Sequence, residues 1–556
     1  MPLNPPAASS PVAESPVRIP VDIRRFSWLK PLAGDYAYHF DRVAEFYAGD
    51  PSSDTAWAAA IAHTRGKARQ PEQLAAVLAS QQARRAAPAP AREAAASLAD
   101  PDTIAVVTGQ QAGLFGGPLY TLHKALTALA LADEIARRRH VRAVAVFWID
   151  AEDHDWEEVR SCTILDVELA PRTVSLPADA APGGTPVGNV SLTADARHTI
   201  DELARILPAT EFTPALVEEL RRCYAPGVRM ADAFGRWLEH LLGARGLIVY
   251  DASDPASKPL AAPVFAHELR SPGETARFAH AAGLALTSRG YHAQVQTTDD
   301  APALFRLEGA SRRPVRYAKG RYTVGDEDYA ADALVREAGE RPAGFSPNVL
   351  LRPVVQDTLF PTVCYVAGPS ELAYLGQLRT VYAHFGVPMP LIYPRASATL
   401  VDSAALRFML KYDVPLESLQ PQDDRGLNAV LKAQMPEELD AALAGAGDAI
   451  DTAMARVIAA VPLLDATLER TAQSTATRMR HELETLQGKT VQAAKRRDDT
   501  LRRQFARARA LAFPGGHPQE RAVGLVSFLN QYGPALVDRL AEELPLELGR
   551  HWMVAI

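Results

Sequence analysis

Within six residues, the segment DAEDHDWEEV (150–159) brings together Asp150, Glu152, Asp153, His154 and Asp155. So many carboxylates in one place repel each other unless a cation, a substrate ammonium or a metal compensates. General-base chemistry, amine recognition and Mg2+ coordination all suit such a set. A solvated acidic turn is the plain alternative, and the apolar run AVAVFWI directly before it argues against that. A second chemically loaded stretch is TGQQAGLFGGPLYTLHK (108–124), where four glycines and Pro118 fall within ten positions at the mouth of a long apolar helix. Glycine lets a backbone bend sharply and approach a ligand, and proline suits a first helical turn. The positive end of such a helix can receive an anion, so two readings compete, a tight structural turn and a phosphate pocket, and the backbone is expected to curl around an anion. Neither G-K-[ST] nor G-x-G-x-x-G is present, so this is not one of the standard phosphate loops. AGPSELAYLGQL (367–378) repeats the glycine-then-helix arrangement, with Ser370 and Glu371 in the first turn. SPNVLLRPVVQD (346–357) sets Asn348, Arg352, Gln356 and Asp357 in an apolar segment, and YPRASATL (393–400) contributes Arg395 and Ser397. A buried arginine of this kind is either a structural ion pair or a clamp for a substrate carboxylate.

These motifs need strands behind them. TIAVVTG (103–109), AVAVFWID (143–150), GLIVYDAS (246–253), TVCYVAGPSE (362–371) and MPLIYPRAS (389–397) are continuous apolar runs. Runs without in-and-out alternation predict strands covered on both faces, as in a parallel sheet. Helical patterns over 119–139 and 371–385 separate some of them, which is the rhythm of a doubly wound α/β domain. In such sheets ligands bind at the carboxyl ends of the strands. All five ends are polar here, and together they predict one site. About ninety residues lie between the second and third runs and more than a hundred between the third and fourth, which predicts two insertions. PADAAPGGTPVGNV (177–190) reads as a surface loop in the first of them.

The sequence therefore divides into a disordered tail (1–23), a core (24–430), a helical arm (431–515) and a C-terminal helical segment (516–556). The core opens with helices, on which Tyr36, Phe40, Val43, Phe46 and Tyr47 mark an apolar face, and the alanine-rich stretch 84–97 reads as a connector. In the arm, Leu464, Leu468, Ala472, Ala476, Met479, Leu483 and Leu486, then Leu501, Phe505, Ala508 and Leu511, step by threes and fours. Such a long period predicts a coiled coil. Residues 465–511 hold eleven Lys/Arg against six Asp/Glu, which reads as a solvated face with a basic bias in preference to a dedicated anion site.

Bulk properties narrow the function. The 556 residues, 47% hydrophobic and 22% charged, suit several globular units. A net charge of −7 gives no reason to expect nucleic acid or an anionic membrane as partner. No apolar run is long enough to span a bilayer. Cys162, Cys223 and Cys364 are too scattered for a disulfide framework, so a cytoplasmic setting is expected.

TGQQAGLFGGPLYTLHK, FWIDAEDHDWEEV, LRPVVQDTLFPTVCYVAGPSELAYLGQL and MPLIYPRASATL, in this order and ahead of a helical arm, resemble the bacillithiol-biosynthesis cysteine-adding enzymes over roughly residues 25–550. FPGGHPQERAVGLVSFLNQYG resembles the family's closing segment, with His517-Pro518 as a local departure. The resemblance implies a Rossmann-like core with insertions, a coiled coil supporting a homodimer, and addition of L-cysteine to glucosaminyl-malate. It relates the core to the class I aminoacyl-tRNA synthetases, whose H-x-G-H and K-M-S-K-S signatures are absent; GPLYTLHK and YPRASAT stand in those places. ATP, with Mg2+, is the expected source of carboxyl activation. On this reading Glu152, Asp153 and Asp155 hold substrate ammonium groups and His154 deprotonates the amine. Arg352 or Arg395 grips the malate carboxylates, helped by Asn348 and Ser397. Phosphate lies in the turn formed by Gly109, Gln110, Gln111, Gly116, Gly117 and Tyr120, with His123 and Lys124 behind it. Gly368, Ser370, Glu371 and Tyr374 complete the site. Two other readings remain open, a nucleotide- or sugar-phosphate-binding protein without ligase activity, and a coiled-coil assembly protein with a docking head.

Overall fold

The five apolar runs form one parallel sheet in the computed structural model, which describes residues 18–181, 184–295, 301–309 and 311–556, side chains at 494–497 excepted. Its strands are β1 (Ile104–Gln110), β2 (Ala143–Ile149), β3 (Ile248–Asp251), β4 (Thr362–Ala367) and β5 (Leu391–Pro394). Their order is β5-β4-β1-β2-β3, all parallel. The chain steps outward from β1 through β2 to β3, then returns to place β4 on the other flank of β1. That reversal opens a crevice between the carboxyl ends of β1 and β4, the usual ligand position in such sheets. Register brings the ends level, with Gly109 opposite Trp148 and Thr108 opposite Val366. Ile104, Ala105, Val106 and Val107 are all fully buried, so lack of alternation did mean cover on both faces.

Four helices position the site: α1 (Tyr120–Arg139) after β1, α2 (Lys258–Arg270) after β3, α3 (Arg352–Leu359) before β4 and α4 (Pro369–Leu375) after it. Arg137, Arg138 and Arg139 in the last turn of α1 complement its dipole. The helix expected over 371–385 is two, α4 and Arg379–His384, interrupted at buried Gln377. The Gln377 side chain accepts from the amides of Gln294 and Val295 and donates to Ala279 O, so it spends its bonding on the second insertion.

Both insertions are present. The first carries a hairpin, Ser161–Leu165 with Pro171–Ser175, and, among the described residues, four α-helices. The second holds a five-stranded antiparallel sheet that the sequence pattern does not announce, including Leu304–Glu308, Ser311–Ala318 and Phe345–Pro347. Of the loop expected at 177–190, residues 182–183 lie outside the described residues.

Several boundaries need correction. Of the tail 1–23, residues 1–17 lie outside the described residues, whereas Arg18–Asp22 is a strand paired antiparallel with Arg550–Ala555. The C-terminal segment thus ends in a strand. The 84–97 connector contains the helix Ala89–Ser97, with Ala91 and Ala95 buried, and Arg85 beside it is ion-paired to Glu239 at 2.8 Å. The chain splits into one unit through Thr399 plus Gln519–Val554 and a second of Leu400–Pro518 plus Ala555–Ile556. Residues 400–430 therefore belong with the arm rather than the core, as Phe408 packing on Phe505 illustrates.

Within the second unit, α5 (Glu437–Ala460) and α6 (Leu468–Arg497) fold back on each other, and α7 (Asp499–Ala512) follows. Asp451 and Arg480 pair across the hairpin at 2.9 Å. Leu463 and Leu464, at the turn set by Pro462, are 91% and 87% exposed. No described helix is long and apolar enough to cross a membrane.

Candidate active site

A cavity of about 710 Å³ opens at the carboxyl ends of β1, β2 and β4. Lys124, one turn into α1, ties its floor together. Its Nζ donates to Gly109 O at 2.8 Å and Gln110 Oε1 at 3.2 Å and pairs with Glu371 at the start of α4. Glu371 also accepts from the Gly368 amide at 2.6 Å and the Tyr365 hydroxyl at 2.9 Å. Burial works to raise the Glu371 carboxyl, but the charge and hydrogen bond of Lys124 outweigh it, so Glu371 titrates below the usual range. One ion pair thus bridges both sides of the switch point.

Next to it, Arg352 at the start of α3 donates to Gln356 Oε1 and Tyr374 Oη, each at 3.1 Å, leaving Nε turned toward Asp150 at 3.8 Å. Asn348 fixes the turn that leads into α3, its side chain accepting from the amides of Leu350 and Leu351. Gln356 passes the network inward to Asp357, which also accepts from the Tyr382 hydroxyl at 2.5 Å. Burial pushes Asp357 from its ordinary 3.8 up to about 6. A carboxyl raised on folding contributes stability that is fully present below its unfolded pKa and is lost as pH climbs through about 6. The loss amounts to about 3 kcal/mol. Denaturant midpoints of Asp357→Asn are therefore expected to stay flat where those of the parent fall between about pH 4 and 7; parallel curves would refute the assignment.

The acidic turn after β2 forms the opposite wall. Asp153 accepts from Gln111 Nε2 at 2.7 Å and from the amide of His154, with Arg312 Nη1 3.8 Å away. Gln111 also donates to Glu158 at 2.9 Å. Arg312 comes from the second insertion, lies over the Phe305 ring at 3.8 Å and donates to Ser346 and to Pro347 O. Its guanidinium reaches the acidic wall through this bracing. His154 is 47% exposed and also faces the cavity, as do Ser370 and Tyr120. Behind Tyr120, Arg395 makes two bonds to Glu520, of 2.8 and 2.6 Å, and both groups are buried. Ser397 and His123 bond the same carboxylate.

Residues 19–396 match the family model described as bacillithiol biosynthesis BshC, N-terminal Rossmann-like domain, and residues 398–556 match its C-terminal coiled-coil domain. The chain belongs to the BshC family. The “Putative cysteine ligase BshC” of Salinibacter ruber is 35% identical over 531 residues, covering 94% of this chain and 95% of that protein. The proteins of the same name in Chlorobaculum tepidum and Solibacter usitatus are 34% and 30% identical, covering 80% and 94% of this chain and 82% and 97% of their own length. The Rossmann-like core and coiled-coil arm read from the sequence are the two domains of the BshC family.

Within this BshC framework, several expected site residues sit elsewhere. Glu152 is buried in an ion pair with Lys258 of α2 and does not line the cavity. Asp155 caps the short helix Trp156–Val159, accepting from the Glu158 amide at 3.2 Å. His123 and Ser397 stand behind the wall on Glu520, and Arg395, although it lines the cavity, has its guanidinium spent on the same partner. The phosphate role of Gly116 and Gly117 also needs correction. Neither lines the cavity, and the amides of Gly116, Gly117 and Leu119 donate to Gly113 O, Leu114 O and Val523 O. No amide of these three is left for an anion. Gly116 has φ +94, and a Cβ there would lie 2.8 Å from Trp237 Nε1; Gly117 has φ +68. The glycines serve a tight turn packed on the first insertion. Gly116→Ala is expected to cost about 2–4 kcal/mol in denaturant unfolding. Substrate affinity of the folded fraction should stay unchanged; weakened affinity at full stability would restore the ligand reading.

Four charged cavity residues have no role in the sequence reading: Arg312, Arg521, Glu158 and Asp150, the last read only as part of the acidic cluster. Asp150 had a signal in its place at the end of β2. The cysteines are buried and free, and burial pushes Cys162 and Cys223 up to about 12, so neither offers a thiolate.

Proposed function

We propose that the chain is a ligase that joins the carboxyl of L-cysteine to the amine of glucosaminyl-malate, using ATP to activate the carboxyl. The observation that carries this reading is the mixed charge of the switch-point cavity. Lys124 and Glu371 satisfy each other and Arg395 is held by Glu520, which leaves Asp150, Asp153 and Glu158 to meet ammonium groups and Arg312, Arg352 and Arg521 to meet carboxylates or phosphates. Two substrates with an amine each, one a dicarboxylate, suit that pattern. Arg521, on the wall with Tyr120, is the residue for nucleotide phosphate, the amides of Gly116 and Gly117 being committed within the turn. Among the described residues no group of three or more His, Cys, Asp or Glu side chains is placed to hold a metal. Mg2+ would therefore be held mainly by phosphate oxygens, as it usually is in nucleotide sites.

Purified protein incubated with ATP, cysteine and glucosaminyl-malate should yield bacillithiol by mass spectrometry, and none when any one reactant is left out. Binding of ATP or of the sugar without product would instead favour a binding protein. The reading extends to a homodimer built on the arm in a reducing cytoplasm, with the exposed Leu463, Leu464, Met479 and Leu486 as surface to cover. Light scattering at micromolar concentration should give twice the chain mass; a monomer would dismiss the dimer.

A further inference from the structure

Amide formation by an amine requires a group that takes the proton the nitrogen loses. Four carboxylates line the cavity: Asp150, Asp153, Glu158 and Glu371. Three are engaged by protein donors. Asp153 accepts from Gln111 and from the His154 amide, Glu158 accepts from Gln111, and Glu371 is bound by Lys124, Gly368 and Tyr365. The Asp150 carboxylate accepts no hydrogen bond from the described residues, although its side chain is 35% exposed into the cavity. Its backbone is fixed, the amide donating to Gln110 O at 2.9 Å at the end of β2. Its nearest cation, Arg352 Nε at 3.8 Å, belongs to a guanidinium whose other nitrogens are committed to Gln356 and Tyr374. The result is a rigidly placed, open carboxylate beside a fixed positive charge.

We propose that Asp150 is the catalytic base that accepts the proton of the attacking amine, an assignment that rests on the ligase reading above. The amine lone pair attacks the carbonyl carbon of a cysteinyl carboxyl phosphorylated or adenylylated by ATP. The C–N bond forms, the C–O bond to the phosphate group breaks with its electron pair leaving on oxygen, and the nitrogen's proton passes to an Asp150 oxygen. Arg352 then faces a neutral acid, which releases the proton to solvent through the open side of the cavity. The charged groups facing Asp150 are Arg352 from α3, Arg312 from the second insertion, and Asp153 and Glu152 on its own loop. Burial and the two acidic neighbours raise its carboxyl against the pull of the arginines, which brings a carboxylate toward the range useful for a base. His154, the rival base, is half-exposed, with its Nδ1 3.6 Å from Asp153.

The test compares the full-length parent with Asp150→Asn, Asp150→Glu and His154→Ala in bacillithiol formation at saturating ATP and cysteine, over about pH 6 to 9. Asp150→Asn should lower kcat about 100-fold or more while the KM for glucosaminyl-malate changes little. The rate that remains should climb with pH without levelling, because solvent must take the proton. Asp150→Glu should recover part of kcat and the plateau, and His154→Ala, whatever it does to the size of kcat, should leave the shape of the pH profile as in the parent. An Asp150→Asn variant within about fivefold of the parent, or a profile altered by His154→Ala alone, overturns the assignment while leaving the ligase reading intact. A parent that makes no bacillithiol removes both. If Asp150→Asn does not fold, Arg352→Gln decides: loss of the cation should move the acid limb of kcat to higher pH, and an unmoved limb refutes the role of Asp150.

Discussion

Lys124→Met is expected to abolish bacillithiol formation and to lower stability by about 3–5 kcal/mol, the usual result of stripping one partner from a buried ion pair. Lys124 Nζ holds Gly109 O, Gln110 Oε1 and Glu371, so one substitution releases the ends of β1 and β4 together. Methionine keeps the length of the apolar stem, which isolates the loss of charge from a loss of packing. Without the ammonium, only the Gly368 amide and the Tyr365 hydroxyl offset the burial of Glu371, and its carboxyl should shift upward toward protonation. The hydroxyls of Tyr365 and Tyr374, which now donate to it, then lose their orientation, and Tyr374 is one of the two anchors of Arg352. Activity should therefore fall even in the molecules that fold. A double substitution, Lys124→Met with Glu371→Gln, should recover more than half of the lost stability and none of the activity, because it removes the buried charge without restoring the bridge. Thermal melts and the product assay separate the two. A single variant that melts within a few degrees of the parent would show that the bridge is incidental.

What the sequence revealed follows from how local its signals are. The β strands were legible because burial on both faces writes an uninterrupted apolar run, and the acidic turn because its charges adjoin one another. Arg312 was not legible. Its strand reads SRRPVRYA, which resembles an exposed edge, and only pairing with Leu304–Glu308 aims the guanidinium at Asp153. Asp155 and Glu152 show the converse error: side chains adjacent in sequence diverge in space, one to cap a helix, the other to meet Lys258. The glycines were read correctly as backbone that must turn sharply, but sequence does not say what the turn packs against. Gly116 meets Trp237, more than a hundred residues away. In the two-layered helical arm the period of three and four was enough to give the helices, whereas the strand Arg550–Ala555 is too short and too mixed to betray its pairing with Arg18–Asp22.

Arg395 carries the same lesson into an experiment. Alone in YPRASATL it resembles a clamp for a substrate carboxylate, but its partner is Glu520, 125 residues away. Glu520 accepts two bonds from Arg395, one from the Ala398 amide and others from Ser397 and His123, and it is 1% exposed. Burial opposes its charge, yet Arg395 and these hydrogen bonds hold the carboxylate well below the usual range. His551 completes the cluster, bonded to Ser397 and Thr399 and pushed by burial to about 4, so it is neutral at working pH. Glu520→Ala leaves a buried guanidinium with one remaining bond to Ala396 O and should cost about 3–5 kcal/mol. Arg395→Met in the same chain removes the stranded charge and should return most of that cost, since a buried pair is often replaceable by apolar groups of similar volume. If Arg395 were a substrate clamp, the double variant would be as stable as the parent but would bind glucosaminyl-malate at least tenfold more weakly. The structure predicts otherwise: the affinity of the double variant should lie close to the parent's, because Arg395 is occupied by Glu520 and, on the proposed reading, anion binding falls to Arg312, Arg352 and Arg521.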